Sequence, residues 1–340
     1  MEESAQHPAS ELGKESNGNE AAALGAARQS AAVANRSHWG RILVSDADRL
    51  RFLHNQSTND FNSLKPGQGC DTVFVTSTAR TIDLATAYIT EDTVLLLVSP
   101  NRRQQLIQWL DKYIFFADRV QLRDITGETA AFSLIGPESH ALLEKLGAME
   151  MVGKPDGSHQ LFNIAGAEVR VAVGNGLGIA GYTLIVPRLS AETLWNSITA
   201  AGATPLSERG WEQLRIEQGR PAPDLELTED YNPLEARLSH TISYSKGCYI
   251  GQETIARLNT YKGVKQHLWG VRLSAPASPG TVVTVGEEKV GKLTSYTETE
   301  RGPFGLAYIR TKAGGAGLQV RVGEVQGETV DVPFLEPPVE

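Results

Sequence analysis

The sequence predicts an α+β fold that ends in a small β-barrel. Strand-length apolar runs and amphipathic helical stretches mix between residues 39 and 262 without strict alternation, which suits α+β layers rather than a doubly wound sheet. From Gln266 the helical signals stop, and short strands separated by Gly and Pro turns follow. The 340 residues, 41% hydrophobic and 21% charged, suffice for about two domains with cores of their own, or three small ones.

Residues 1–35 are rich in Ala, Glu, Ser, Gly and Asn and carry almost no large apolar side chains, so a disordered tail is expected there, with a transient helix over Ala21–Ala34. Folding is expected to begin near Trp39. GRILVSDAD reads as a strand entering a helix, with Asp46 as the N-cap and Leu50 and Leu53 on one face. After the KPGQG turn, CDTVFVT, IDLATAYIT and TVLLLV are strands. SPNRRQQLIQWLDKYI is a helix capped by Ser99 or Asn101, with Leu106, Ile107 and Leu110 as its stripe. VQLRDI, TAAFSLIG, LFNIAG, EVRVAV and YTLIVP are further strands, and PESHALLEKLGA is a helix. Two helices end at Gly202 and Gly219, the residue type that tolerates the left-handed turn past a helix end. HLWGVRL, TVVTV, EKVGKLTSY, FGLAYI, LQVRV and TVDVPFL supply the barrel. The expected domains are therefore a tail at 1–35, a region of two α+β subdomains at 36–262, and a barrel at 263–340.

Lys plus Arg number 32 against 40 Asp plus Glu, a net charge of −8, which argues against broad nucleic-acid binding. Two cysteines, Cys70 and Cys248, exclude a disulfide scaffold and a four-cysteine metal site, and fit a reduced intracellular chain. No apolar run approaches the roughly 18 residues of a membrane span, Thr93–Pro100 being strand-length, so none is expected. The start MEESAQHPAS lacks the features of a secretory signal or a transit peptide, and a processed plastid protein would look the same. The expected location is the cytoplasm, with the plastid stroma as the alternative, and the expected state is a monomer.

GLGIAG, Gly176–Gly181, fits the glycine template of a dinucleotide site. That site needs a helix immediately afterwards, and the strand YTLIVP follows instead. The seven histidines show no metal-ligand spacing, so no metal site is expected. SKGCYIGQETIAR, Ser245–Arg257, differs. It places Cys248 beside Lys246 on a glycine-flanked turn entering a helix, where a nearby ammonium would favour the thiolate. Gly247 and Gly251 permit close backbone approach to a ligand. A structural turn with a half-buried thiol is the alternative at this point.

KGCYIGQE resembles the KGCYxGQE signature of the YgfZ family, within the superfamily of the glycine-cleavage T-protein (aminomethyltransferase). Other segments resemble that superfamily in order: Trp39 and Gln56, TARTIDLATAY, WEQLRIEQGRP and YNPLEARL, so that the likeness spans about residues 38–335. It implies a T-protein-like ring, two α+β domains and a C-terminal barrel around a central tetrahydrofolate site.

By residue, the resemblance implies that Asp83 approaches the reactive amines of the folate, where a carboxylate could orient them. Its alternative is a solvent-facing strand position. Trp39 and Trp211 match tryptophans that the YgfZ branch places near folate, with core packing as the alternative. Tyr182, Arg215 and Glu217 complete the implied cofactor contacts. Trp211 and Arg215 share a helix face, and Glu217 falls off it. The implied motif set is Lys246, Gly247, Cys248, Tyr249, Gly251, Gln252, Glu253 and Arg257, with Cys248, Asp83 and Lys246 as the chemistry-bearing residues. Two departures from the T-protein point to the YgfZ branch: Ile179 stands where T-proteins carry a glutamate before A-G-Y, and the KGCYxGQE form is foreign to them.

The implied function is a folate-dependent accessory protein of iron–sulfur cluster assembly or repair, with tetrahydrofolate or a formyl or methyl derivative as cofactor and iron–sulfur assembly or client proteins as partners. One motif cysteine cannot hold a stable four-thiolate cluster. The alternative is a tetrahydrofolate-dependent aminomethyl- or methyltransferase, in which Asp83 is catalytic and Cys248 structural.

Overall fold

A computed structural model describes residues 12–13 and 20–336. α1 (Glu20–Gln29) leads into β1 (Ala32–Asn35), β2 (Gly40–Ser45) and α2 (Arg49–Gln56). β3 (Gly69–Val75), β4 (Thr81–Ile89) and β5 (Thr93–Val98) precede α3 (Arg103–Asp111). Next come β6 (Gln121–Asp124), β7 (Thr129–Ile135), α4 (Ser139–Lys145), β8 (His159–Ile164), β9 (Ala167–Val173) and β10 (Gly181–Pro187). α5 (Ala191–Ala201), β11 (Thr204–Leu206), α6 (Glu208–Gln218) and α7 (Gln252–Thr260) follow. The last six strands are β12 (Gln266–Leu273), β13 (Val282–Val285), β14 (Glu288–Thr299), β15 (Gly302–Arg310), β16 (Gln319–Val322) and β17 (Val325–Val330).

One sheet has the order β11-β1-β7-β10-β9-β8, a second the order β3-β4-β5-β2-β6, and β12-β15-β14-β13-β16-β17 close into a barrel. The α+β class and the terminal six-stranded barrel are therefore as the sequence predicts. By compactness the chain divides into two units. The first holds the residues up to Leu50, Ser63–Cys70 and Thr86–Trp211, and the second holds Arg51–Asn62, Asp71–Ala85 and the residues from Glu212 on.

In the first unit, β7 is buried on both faces from Ala130 to Ile135, and Ala130, Phe132 and Leu134 face one core. Leu142 and Leu143 of α4 and Leu194 and Ile198 of α5 fill the same core. In the second unit, Val271, Val283, Leu293 and Ile309 pack inside the barrel. A separate core joins Ile216 of α6 to Val73, Val75 and Leu84 and to Leu268, Leu306 and Tyr308 of the barrel strands. The barrel is thus part of a larger compact unit. Among the described residues no helix is long and apolar enough to cross a membrane.

Three expectations need correction. Residues 20–35 do not belong to a disordered tail; the rest of that segment lies outside the described residues, apart from Leu12 and Gly13. α1 buries Ala23, Leu24 and Ala27, and β1 is an interior strand between β11 and β7. Small residues succeed here because alanine loses no side-chain entropy and lets elements approach closely. Asp46 is not a helix cap: it takes a left-handed turn with φ 79°, and α2 begins three residues later. Neither Ser99 nor Asn101 caps α3, since Arg102 occupies the cap position without a side-chain hydrogen bond.

Val33 of β1 is fully buried in the first unit's core. Val33→Asp would bury an unpaired carboxylate and is expected to lower stability by on the order of 4 kcal/mol in urea unfolding. A disordered tail would leave the unfolding curve unchanged.

Candidate functional site

The KGCYIGQE segment lies in the second unit, and its lysine is an anchor. Lys246 Nζ donates to three backbone carbonyls, those of His54, Ser57 and Asn59, the last two at 2.7 Å each. His54 belongs to the last turn of α2, where carbonyls lack intrahelical partners and a cation is favoured. The same ammonium lies 4.6 Å from the centre of the Tyr249 ring. Ile250 N–H donates to Asn55 O at 3.0 Å, and Ser243 N–H to Thr58 O at 3.0 Å. The loop is thus fastened along its length to residues 54–59.

Past the cysteine the chain turns sharply into α7. Gly251 sits at φ 80°, and a Cβ there would come within 2.9 Å of Thr76 O and Val75 Cγ2, so glycine is required on two counts. Gln252 Oε1 accepts the Tyr249 N–H at 3.1 Å, while Gln252 N–H donates back to Tyr249 O at 3.2 Å. Burial pushes the Tyr249 phenol up to about 12, so it stays protonated. Ile255 of α7 packs with Ala79, Leu234, Ile242 and Val264. Cys248 is a free, exposed thiol, and Glu253 and Arg257 are exposed on α7. Lys246, Tyr249, Gly251 and Gln252 therefore build the platform, and Cys248 is displayed on it. The half-buried thiol that composition left open is not what forms.

Asp83 lies on β4 in the same unit and is fully buried, so the solvent-facing alternative fails. Arg215 departs from the cofactor contact implied for it. Its five N–H donors meet five acceptors inside the protein. Glu212 takes two of these bonds, and Arg220 O, Glu226 and Ser295 Oγ take one each. Glu226 is itself fully buried; Ser295 Oγ donates to it at 2.6 Å and Ala222 N–H at 3.1 Å. Burial works against the Arg215 charge, and Glu226 with Glu212 more than offsets it, so the guanidinium stays protonated. Tyr308 OH donates to Glu226 O, and its ring stacks on Tyr231 at 3.6 Å. Arg215 therefore ties α6 to the barrel and has no donor left for a ligand. Glu217 is half-buried and accepts Gln213 Nε2 at 2.8 Å.

In the first unit the two tryptophans do meet. Trp39 and Trp211 pack edge to face, with ring centres 5.5 Å apart. Arg36, which sequence reasoning missed, lies 3.5 Å from the Trp211 ring centre and 4.5 Å from that of Trp39. Glu208 holds Arg36 at 2.8 Å and has His38 Nε2 at 3.4 Å. Burial would raise the Glu208 carboxyl, but His38 and Arg36 outweigh it and hold it below its ordinary value. A signal for Arg36 existed only in outline: Glu208 and Trp211 are three apart on α6 and present an acid and a ring together. Trp211 is buried, and its Nε1–H has no acceptor among the described residues. Tyr182 stands apart in the hydrophobic core with Leu134 and Leu184, and burial raises its phenol.

Arg215→Ala would strand the buried Glu226 carboxylate and is expected to cost about 3–5 kcal/mol of stability, measured by urea unfolding. Arg215→Lys should recover little of this, because a lysine cannot reach five acceptors. Recovery of full stability by lysine would overturn the structural assignment.

Comparison with known proteins follows the same lines. The profile of the family described as the GCVT N-terminal domain matches residues 6–246. A chloroplastic protein of Arabidopsis thaliana, whose name gives it a provisional transferase assignment, is 49% identical over 94% of this chain and 75% of its own length. An aminomethyltransferase of Caldanaerobacter subterraneus is 28% identical over 87% of this chain and 82% of its own length. The crystal structure of the glycine cleavage aminomethyltransferase T from Bartonella henselae superposes with a TM-score of 0.81 at 20% identity, covering 93% of this chain and 89% of that one. The chain has the T-protein fold and belongs to the GCVT-domain family of the aminomethyltransferase superfamily.

Proposed function

We propose that this chain is a YgfZ-type, tetrahydrofolate-binding accessory protein of iron–sulfur cluster assembly or repair, acting in the plastid stroma. The observation that carries the reading is the display of Cys248. The motif around it is engaged in backbone anchoring, a left-handed glycine turn and a helix start, and the group it leaves open is an exposed thiol. A protein that needed the segment only for packing would bury that side chain. The chloroplastic relative supports the compartment.

The residues present fit a reduced folate. Trp211 carries a buried N–H with no acceptor among the described residues, beside a second tryptophan and a guanidinium. Such a cluster suits a flat heterocycle that brings an acceptor of its own. When bound, the folate supplies a carrier for a one-carbon unit. Trp211 Nε1–H would donate to the pterin, Trp39 would supply apolar ring surface, and Arg36, held by Glu208, would set the local charge. Cys248 would meet the iron–sulfur partner as a nucleophile or transient ligand.

A second reading, a folate-dependent one-carbon transferase, draws on the aminomethyltransferase relatives and on the buried carboxylate of Asp83. The two separate in cells lacking the endogenous protein. The accessory reading expects Cys248→Ala to lose restoration of iron–sulfur enzyme activity at least tenfold, with Asp83→Asn retaining most of it. The reverse pattern would favour the transferase. In calorimetry the purified protein is expected to bind tetrahydrofolate at micromolar Kd, about −8 kcal/mol, and Trp211→Ala to weaken it at least tenfold.

A further inference from the structure

Residues 36–39 link β1 to β2 and carry Arg36 at one end and Trp39 at the other. Their β7 side is tied through the chain itself: Arg36 N–H donates to Ala131 O at 2.8 Å, and Ser37 Oγ accepts the Ala131 N–H at 3.2 Å. Their other side is tied by one guanidinium. Arg41, on β2, is fully buried. Its Nη1 donates to Ser37 O at 3.0 Å and to Trp39 O at 2.5 Å. Its Nη2 donates to Thr126 O at 2.6 Å and to Thr129 O at 2.9 Å, and its Nε to Thr129 Oγ1 at 2.8 Å. Thr126 lies between β6 and β7, and Thr129 opens β7. Two connecting passages of the first unit are thus clasped together by one side chain.

All five donors of this guanidinium are used, and the acceptors are four carbonyls and a hydroxyl, all neutral. Burial lowers its proton affinity to about 10, opposed by Asp124 and helped by Arg103, so it is charged at pH 7. A buried charge that touches no carboxylate is a costly route to stability alone, since apolar side chains of similar volume often serve as well. What it supplies is geometry: a planar fork fixes two carbonyls of one segment against another, and a lysine cannot copy that. The segment so fixed carries Arg36 and Trp39, the two groups that pack on Trp211.

We propose that Arg41 is the positioning residue of the tryptophan pair. It acts through the carbonyls of Ser37 and Trp39, which seat the Trp39 ring against Trp211 and hold Arg36 over it. The rings meet edge to face, so a displacement of the Trp39 backbone by about half an ångström changes the surface offered to a flat heterocycle. The inference rests on the reading of this pair as the folate site and adds what sets its affinity.

The test uses the full chain labelled with 5-fluorotryptophan, whose five fluorine signals are assigned by single Trp→Phe variants. Arg41→Lys keeps the charge and loses the fork. It is expected to move the Trp39 and Trp211 signals by more than a linewidth. The signals of Trp195, packed on Phe132, and of Trp269, in the barrel core, should stay. The same variant should bind tetrahydrofolate at least tenfold more weakly in calorimetry, at a temperature where it is folded. A merely structural role would lower the urea midpoint and leave the signals and the Kd of the folded protein unchanged. If Arg41→Lys does not fold, Thr129→Val serves: it removes the Nε acceptor, and with it a bond to Ile125 O, and should move the same two signals and weaken binding about threefold. Trp39 and Trp211 signals that stay in place, or an unchanged Kd in the folded variant, would overturn the inference. Absence of tetrahydrofolate binding by the unsubstituted chain would instead overturn the folate reading, and the fluorine signals would still decide whether Arg41 positions the pair.

Discussion

Three backbone carbonyls converging on one ammonium group hold the candidate site together. Lys246 caps the end of α2 and the turn beyond it, and so fastens a loop with no regular structure to one of the protein's helices. Hydrogen bonds to a charged donor contribute about 1.5–3 kcal/mol each, though not additively, enough to fix a short loop against its conformational entropy. With that end tied and Gly251 seated against β3, the intervening residues have little freedom. Cys248 is held at the surface from both sides. The lysine that sequence reasoning assigned to thiol activation is thus first an anchor, and any influence on the thiol comes through where it places the loop.

The same division of labour recurs across the family-like segments. The RIE run contributes Arg215 as a saturated hub among Glu212, Glu226 and Ser295, a buried charge kept because every donor has an acceptor. The tryptophans contribute an edge-to-face pair completed by Arg36, with the Trp211 indole N–H left without an acceptor among the described residues. A motif that looks uniform as a string separates into groups whose hydrogen bonds are all met and groups whose bonds are not. The second kind, Trp211 Nε1 and the exposed Cys248 thiol, is where ligand and chemistry are to be sought.

What the residues revealed in advance follows from how local the controlling physics is. The barrel strands were legible because period-two alternation and Gly or Pro turns are local signals. The ends of α5 and α6 were legible because Gly202 and Gly219 adopt the left-handed conformation that stops a helix. The strand after GLGIAG was legible for the same reason, and it removed a false nucleotide site. Residues 20–35 were not, because their stability comes from close packing of small side chains against partners far along the chain. Arg36 was not, because its partner lies at Glu208, and no spacing rule connects such positions. The internal acceptors of Arg215 were not legible either, since a motif match does not show where its donors go.

Lys246 holds the platform that displays Cys248. Hydrogen exchange at the Tyr249 and Ile250 amides in Lys246→Met tests it most directly. Methionine keeps the length of the side chain and removes its donors. Both amides are expected to lose at least tenfold of their protection while the barrel amides keep theirs. Native protection at both positions in the variant would contradict it.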